Sequence, residues 1–184
     1  RRYVGGYVTE DNRFLVITAA NSTYGNELYI QDLTKPNAPI ITIVDNFNSD
    51  NNIIENDGTK LFIDTDLNAP NKRIVTVDVN NPKPENWKDF IPETENVLST
   101  TTGGGFFFAN YMKDAVSVIK QYDYSGKQIR EIQLPDVGTA GGFSGKKEEK
   151  TLYYTFTNYT TPSSIFAFEP NSGKSEAYQK PKVD

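Results

Sequence analysis

Apolar and polar positions alternate along this chain in short runs, and turn residues separate the runs. No window repeats apolar residues at helical spacing for long. One kind of run ends each time in an acid followed by a turn: Glu27–Asp32, Arg73–Asp78, Val118–Asp123 and Ile165–Glu169. The acids stand at 32, 78, 123 and 169, spaced by 46, 45 and 46 residues. A second, more continuously apolar series precedes them at Phe14–Thr18, Leu61–Thr65, Phe106–Ala109 and Leu152–Phe156. Continuous apolar character predicts strands buried on both faces. A third, more polar series follows the acids at Ile40–Val44, Trp87–Ile91, Ile129–Leu134 and Ser175–Gln179, and its charges suit an exposed edge. The least distinct strands open each unit, at Gly6–Thr9, Asn52–Glu55, Val97–Thr101 and Thr139–Phe143.

Four strands in each repeat of about 45 residues is the pattern of a propeller blade. The expected fold is therefore all-β: a β-propeller fragment of about four blades with four antiparallel strands each, divided near 1–48, 49–94, 95–136 and 137–184. Asn56-Asp57-Gly58, Tyr124–Lys127 and Pro170–Gly173 read as hairpin connectors with Gly at positive φ. The glycines at 5–6, 103–105 and 141–142 fall beside the innermost strands, where backbones crowd. The acids at the strand ends are expected to start turns by accepting backbone N–H bonds. They are not read as metal ligands, because the alternate-acid loop spacing of calcium sites is absent. Period alone does not choose among WD40, kelch and peptidase propellers. The chain has no Gly-His…Trp-Asp pairing, and its one Trp, Trp87, is assigned to an outer strand, which disfavours WD40.

Composition agrees and narrows the chemistry. The 184 residues include 11 Tyr and 11 Phe, which suit half-buried strands, and no Cys, which excludes disulfides and thiolate metal sites. There is no His, so Ser-His-Asp and Cys-His catalysis are closed to the chain in isolation. No metal or other cofactor is expected. The net charge of −5 argues against a nucleic-acid partner. No apolar run is long enough for a membrane span, and no signal peptide is visible. The absence of an initial Met suggests an excised or trimmed piece. The basic run Lys146–Lys150 contains Glu148 and Glu149 and reads as a solvated hairpin tip.

Two segments go beyond a generic propeller. Asn56-Asp57-Gly58 runs through Leu61–Asp66, Ala69-Pro70 and Arg73-Ile74 to Asp78, Pro82, Trp87 and Pro92-Glu93. Gly142-Phe143-Ser144-Gly145 is followed by Tyr153–Tyr159 and Pro162–Phe166. Together these resemble the prolyl oligopeptidase family over essentially the whole chain. Within the segments, Ser144 is not a nucleophile: it lacks the Gly-x-Ser-x-Gly frame, a following helix and any His.

In that family a seven-bladed propeller caps an α/β-hydrolase domain that carries the Ser, Asp and His. The resemblance implies that this chain is the C-terminal part of such a propeller, its last four blades, with no catalytic residue of its own. Its implied partners are the hydrolase domain of the same parent chain and short proline-containing peptides, admitted by access rather than by contact. Substrate-lining positions of the family fall at Val4 and in Ala20–Thr23, chiefly Ala20 and Thr23. Met, Arg and Cys are usual there and this sequence has none of them, which implies a smaller, less charged subsite. A bacterial-type parent leaves cytoplasm and periplasm open. The competing reading is a stand-alone propeller that binds a protein or glycan, with Tyr111, Phe143 and Tyr159 as a sugar platform. Terminal blades without neighbours predict self-association of the isolated chain.

Overall fold

The computed structural model describes residues 1–179 as four antiparallel sheets of four strands each, in two compact units. Unit 1, Arg1–Thr94, holds β1 (Tyr3–Val8), β2 (Phe14–Ala20), β3 (Glu27–Asp32) and β4 (Ile41–Val44) in one sheet. Its second sheet is β5 (Asn51–Asp57), β6 (Lys60–Thr65), β7 (Arg73–Asp78) and β8 (Lys88–Ile91). Unit 2 starts at Glu95 and contains β9 (Leu98–Gly103), β10 (Phe106–Lys113), β11 (Val116–Tyr122) and β12 (Gln128–Glu131). Its second sheet is β13 (Thr139–Gly142), β14 (Leu152–Thr157), β15 (Ser164–Glu169) and β16 (Lys174–Gln179). Each sheet is a meander in chain order, so every blade closes locally.

All sixteen expected strands form, and their differences from expectation have causes. In every sheet the pairing of third and fourth strands is interrupted by a register shift, at Leu28/Tyr29, Ile74/Val75, Gln121/Tyr122 and Ile165/Phe166. Such irregularities bend and twist the edge. The fourth strands end where their hydrophobic patterns end except for β12, which stops at Glu131 rather than Leu134, although Ile132 N still donates to the Ile119 carbonyl at 2.8 Å. Trp87 lies just before β8, after a 3-10 turn at Pro84–Asn86, and its indole donates to the Pro82 carbonyl at 3.1 Å. The edge strands are not uniformly exposed: Ile43 and Val44 of β4 are buried.

Burial on both faces holds for β6, where Leu61, Phe62 and Ile63 are fully buried, and for β10 at Phe107–Ala109. It fails for β14, which buries Leu152, Tyr154 and Phe156 and exposes Tyr153, Thr155 and Thr157. It fails for β2 as well, and all of β1 is exposed.

Three of the four acids act as expected. Asp32 Oδ1 accepts from Thr34 N at 3.0 Å, Asp78 Oδ1 from Asn80 N at 2.8 Å and Asp123 Oδ1 from Ser125 N at 2.9 Å. Hydrogen bonds from Thr34 and Ser125 hold the Asp32 and Asp123 carboxyls below the usual range. Glu169 instead accepts from the Ser172 hydroxyl at 2.9 Å, since its longer side chain overshoots the next N–H. The crowding reading of the glycines holds at Gly103, where a Cβ would stand 2.9 Å from Gly145 N and Phe143 O. It does not hold at Gly141, which has open space.

Within each unit the sheets join through apolar clusters. In unit 1, Phe14, Val16, Leu28 and Ile30 of the first sheet pack with Ile53, Leu61, Ile63, Val75 and Val77 of the second. In unit 2 the joint is aromatic. Phe143 stacks on Phe108 at 5.2 Å and on Tyr154 at 4.6 Å, and meets Phe168 edge-on at 5.4 Å. Tyr111 is buried as well, so the proposed sugar platform does not form: only Tyr159 of the three is exposed.

Candidate functional site

The positions singled out from the sequence lie at one end of the first sheet. β1 starts there, β2 ends there, and the connection Asn21–Asn26 leads on to β3. The register pairs Val4 with Ala19 and Tyr3 with Ala20. Neighbouring residues of a strand point to opposite faces, so Val4 and Ala20 flank the sheet from two sides and Tyr3 shares the face of Ala20. Thr23 sits in the exposed connection.

That connection is long enough to fold onto the second sheet. Gly25 N donates to Asp50 Oδ1 at 2.8 Å, Asn26 N to the Ser49 carbonyl at 2.9 Å, and Asn51 N to Asn26 Oδ1 at 2.8 Å. The Asn26 amide donates to the Asn51 carbonyl at 2.9 Å, and the Thr65 hydroxyl donates to Asn51 Oδ1 at 2.7 Å. Gly25 has φ +79°, and a Cβ there would overlap the Phe47 carbonyl at 1.8 Å, so glycine is required for the approach. The corner is acidic. Asp66 beside Tyr24 raises its phenol pKa, and burial raises that of Asp64 despite Lys72. Charge therefore reaches the Thr23 loop from the neighbouring sheet, where the three lining side chains alone show none.

The equivalent corner of unit 2 is built differently. Thr139 pairs with Thr157 across β13 and β14, as Asn51 pairs with Thr65 across β5 and β6. The preceding connection, however, is only the two residues Asp114 and Ala115, both at positive φ (51° and 63°). Positive φ at both residues is the type I′ form of a two-residue hairpin. Too short to cover the next sheet, it leaves a pocket of about 320 Å³ lined by Asp114–Val116, Val137–Thr139 and Thr157–Tyr159. The seam beneath is closed by Ser117, whose N–H donates to the Gly138 carbonyl at 2.9 Å and whose hydroxyl accepts from Ala140 N at 2.9 Å. At Gly138 a Cβ would stand 2.4 Å from the Thr157 carbonyl. Sequence reasoning missed this pocket. Its signal was the alternation Asn110–Lys113, which extends β10 right up to the turn.

Gly142-Phe143-Ser144-Gly145 is not a catalytic elbow but a strap from β13 toward β14. Gly145 N donates to the Thr102 carbonyl at 3.1 Å and Gly104 N to the Lys146 carbonyl at 3.0 Å, tying it across β9. Among the described residues no cluster of three or more His, Cys, Asp or Glu side chains could hold a metal, and no helix is long and apolar enough to cross a membrane.

Residues 1–181 match the family model described as prolyl oligopeptidase, N-terminal beta-propeller domain. This chain belongs to the prolyl oligopeptidase family. It is 60% identical over 183 residues to a prolyl endopeptidase of Elizabethkingia miricola and 55% identical to that of Elizabethkingia meningoseptica. Each match covers 100% of this chain and 26% of the relative, so the chain spans about a quarter of the length of the curated relatives it matches. Among solved structures it superposes with a TM-score of 0.88, at 26% identity, on a prolyl endopeptidase from a study of inter-domain dynamics in catalysis and specificity. That match covers 100% of this chain and 27% of the other. A Galerina marginata prolyl oligopeptidase B, bound to a 35mer hydrolysis and macrocyclization substrate, shares the fold at a TM-score of 0.85 and 24% identity, with the same shares covered. The four sheets are thus blades of a prolyl oligopeptidase propeller, and the catalytic domain of that family lies outside this chain.

Proposed function

We propose that this chain is the non-catalytic propeller module of a proline-specific serine endopeptidase, gating access of short peptides to a hydrolase domain elsewhere in the parent polypeptide. The observation that carries it is a propeller-domain match along residues 1–181 of a chain without a single His. A serine triad needs an imidazole to take and return the proton, so the chemistry belongs to another domain. In this reading the chain supplies the last four blades of a seven-bladed ring, near 1–48, 49–94, 95–136 and 137–184. The corner at Val4, Ala20 and Thr23 faces the peptide.

The test compares the 184-residue chain with its complete polypeptide on a chromogenic prolyl amide and on peptides of rising length. The chain alone is expected to give no cleavage above buffer. The complete polypeptide is expected to cut short peptides and spare folded proteins that contain the same sequence on an exposed loop. Equal cleavage of both substrates would refute the gate, and turnover by the chain alone would refute its non-catalytic role. In isolation the chain is proposed to self-associate through the uncovered faces of its first and last blades.

A further inference from the structure

We propose that the pocket between the third and fourth blades binds the cationic side chain of an arginine or lysine carried by a peptide. The wall is apolar, formed by Ala115, Val116 and Val137, with the Tyr159 ring standing fully in solvent at its rim (102% exposed). The Asp114 carboxylate is the charged group lining it. Among the described residues neither Asp114 nor Tyr159 has a side-chain hydrogen bond or ion pair. The other polar side chains are already engaged: the Thr139 hydroxyl donates to the Ala115 carbonyl at 3.2 Å and that of Thr157 to the Thr161 carbonyl at 3.4 Å. Asn158 accepts from Thr161 N at 2.7 Å and donates toward Asp136 and the Val137 carbonyl at 3.3 Å.

No Lys or Arg lines the pocket, and the neighbouring Lys113 ammonium is turned toward Glu95 at 4.0 Å. What remains open is one negative charge, one aromatic face and an apolar wall. An alkyl stem ending in a cation complements all three: the stem covers the wall while the head pairs with the carboxylate and lies against the ring. The size suits a side chain, since 320 Å³ stands at the lower end of ligand pockets.

This site rests on the reading that peptides reach this end of the blades, but its test is independent of cleavage. Acetylated, amidated Gly-Arg-Gly and its citrulline counterpart, which keeps the shape and removes the charge, are titrated into the isotopically labelled 184-residue chain and followed by amide correlation spectra. Saturable shifts at Ala115, Gly138 and Asn158 are expected with arginine, with citrulline binding roughly fivefold more weakly. Asp114→Asn removes the charge at a positive-φ position that Asn adopts readily, so folding is preserved. It should weaken the arginine peptide about three- to fivefold and leave citrulline unchanged. Added salt should erase the difference between the two peptides. Equal affinities for the two peptides, shifts that avoid these residues, or an Asp114→Asn variant that binds arginine as before would each overturn the proposal. Failure of the gate in the complete polypeptide would leave all of these readouts unaffected.

Discussion

Phe143 concentrates two opposing effects in one residue, and separating them is the sharpest test of the unit 2 core. Its backbone has φ +62°, a left-handed conformation that disfavours any residue with a Cβ, yet its ring is 1% exposed between Phe108 and Tyr154. Truncating a buried Phe to Ala costs about 3–5 kcal/mol through lost transfer energy and the cavity left behind. Two stacked neighbours and one edge-on neighbour place this site toward the upper end. The left-handed strain, about 1 kcal/mol, survives in Phe143→Ala, because alanine keeps the Cβ, and vanishes in Phe143→Gly. In a strand, glycine is ordinarily the worse of the two by roughly 0.5–1 kcal/mol. Here the order should invert, with Phe143→Ala losing about 4 kcal/mol and Phe143→Gly about 3 kcal/mol.

Urea denaturation followed by circular dichroism measures the difference, and hydrogen exchange assigns it. The Gly104 and Gly145 amides, which hold the strap across β9, should lose protection first. A glycine variant no more stable than the alanine variant would refute the argument that the ring holds a strained backbone in place. A loss under about 1 kcal/mol in both would refute the packing estimate.

Two further outcomes follow. Burial, with Tyr122 nearby, pushes the Tyr111 phenol up from 10.0 to about 12. The unfolded chain therefore releases this proton first, and the stabilisation present below pH 10 is lost as pH rises to 12. Tyr111→Phe should retain part of the stability that the parent loses over that interval, about 1 kcal/mol once solvent screening of the phenolate is allowed for, measured by urea titration at stepped pH. Light scattering of the isolated chain should show concentration-dependent association, weakened by Tyr153→Glu with Tyr178→Glu, a pair in edge contact at 5.1 Å on the exposed face of the last blade. A monodisperse monomer at high concentration would refute it.

The repeat was legible because each blade closes on itself. Alternation sets β3, β7, β11 and β15, and the acids mark where they turn, so local chemistry suffices for both. Strand ends were less legible. The register shifts beside Tyr29, Val75, Tyr122 and Phe166 depend on how a fourth strand wraps the edge, which the hydrophobic pattern does not encode. Phe143 and Tyr111 are core, as aromatic residues in strand-rich segments usually are, and it is their use as a sugar platform in the competing reading that fails. The corner at Val4, Ala20 and Thr23 could be located as strand ends. The carboxylates of Asp50 and Asp66 that charge its surroundings come from the next blade, about 25 to 45 residues along the chain, and no local pattern announces them.

Connection length explains why two equivalent corners differ. The second and third strands of a blade must be joined at the end where the next blade begins, and the joint can stop short or reach over. Six residues, Asn21–Asn26, reach over and spend their polar groups on Ser49, Asp50 and Asn51, leaving a filled, hydrogen-bonded seam. Two residues, Asp114 and Ala115, stop short, and the cost is a pair of left-handed non-glycine residues in succession. An Asn-Gly turn would close the same hairpin without that strain and without a carboxylate at the rim. The short connection thus leaves both an opening and a free charge at the same corner, where a longer loop would have consumed both.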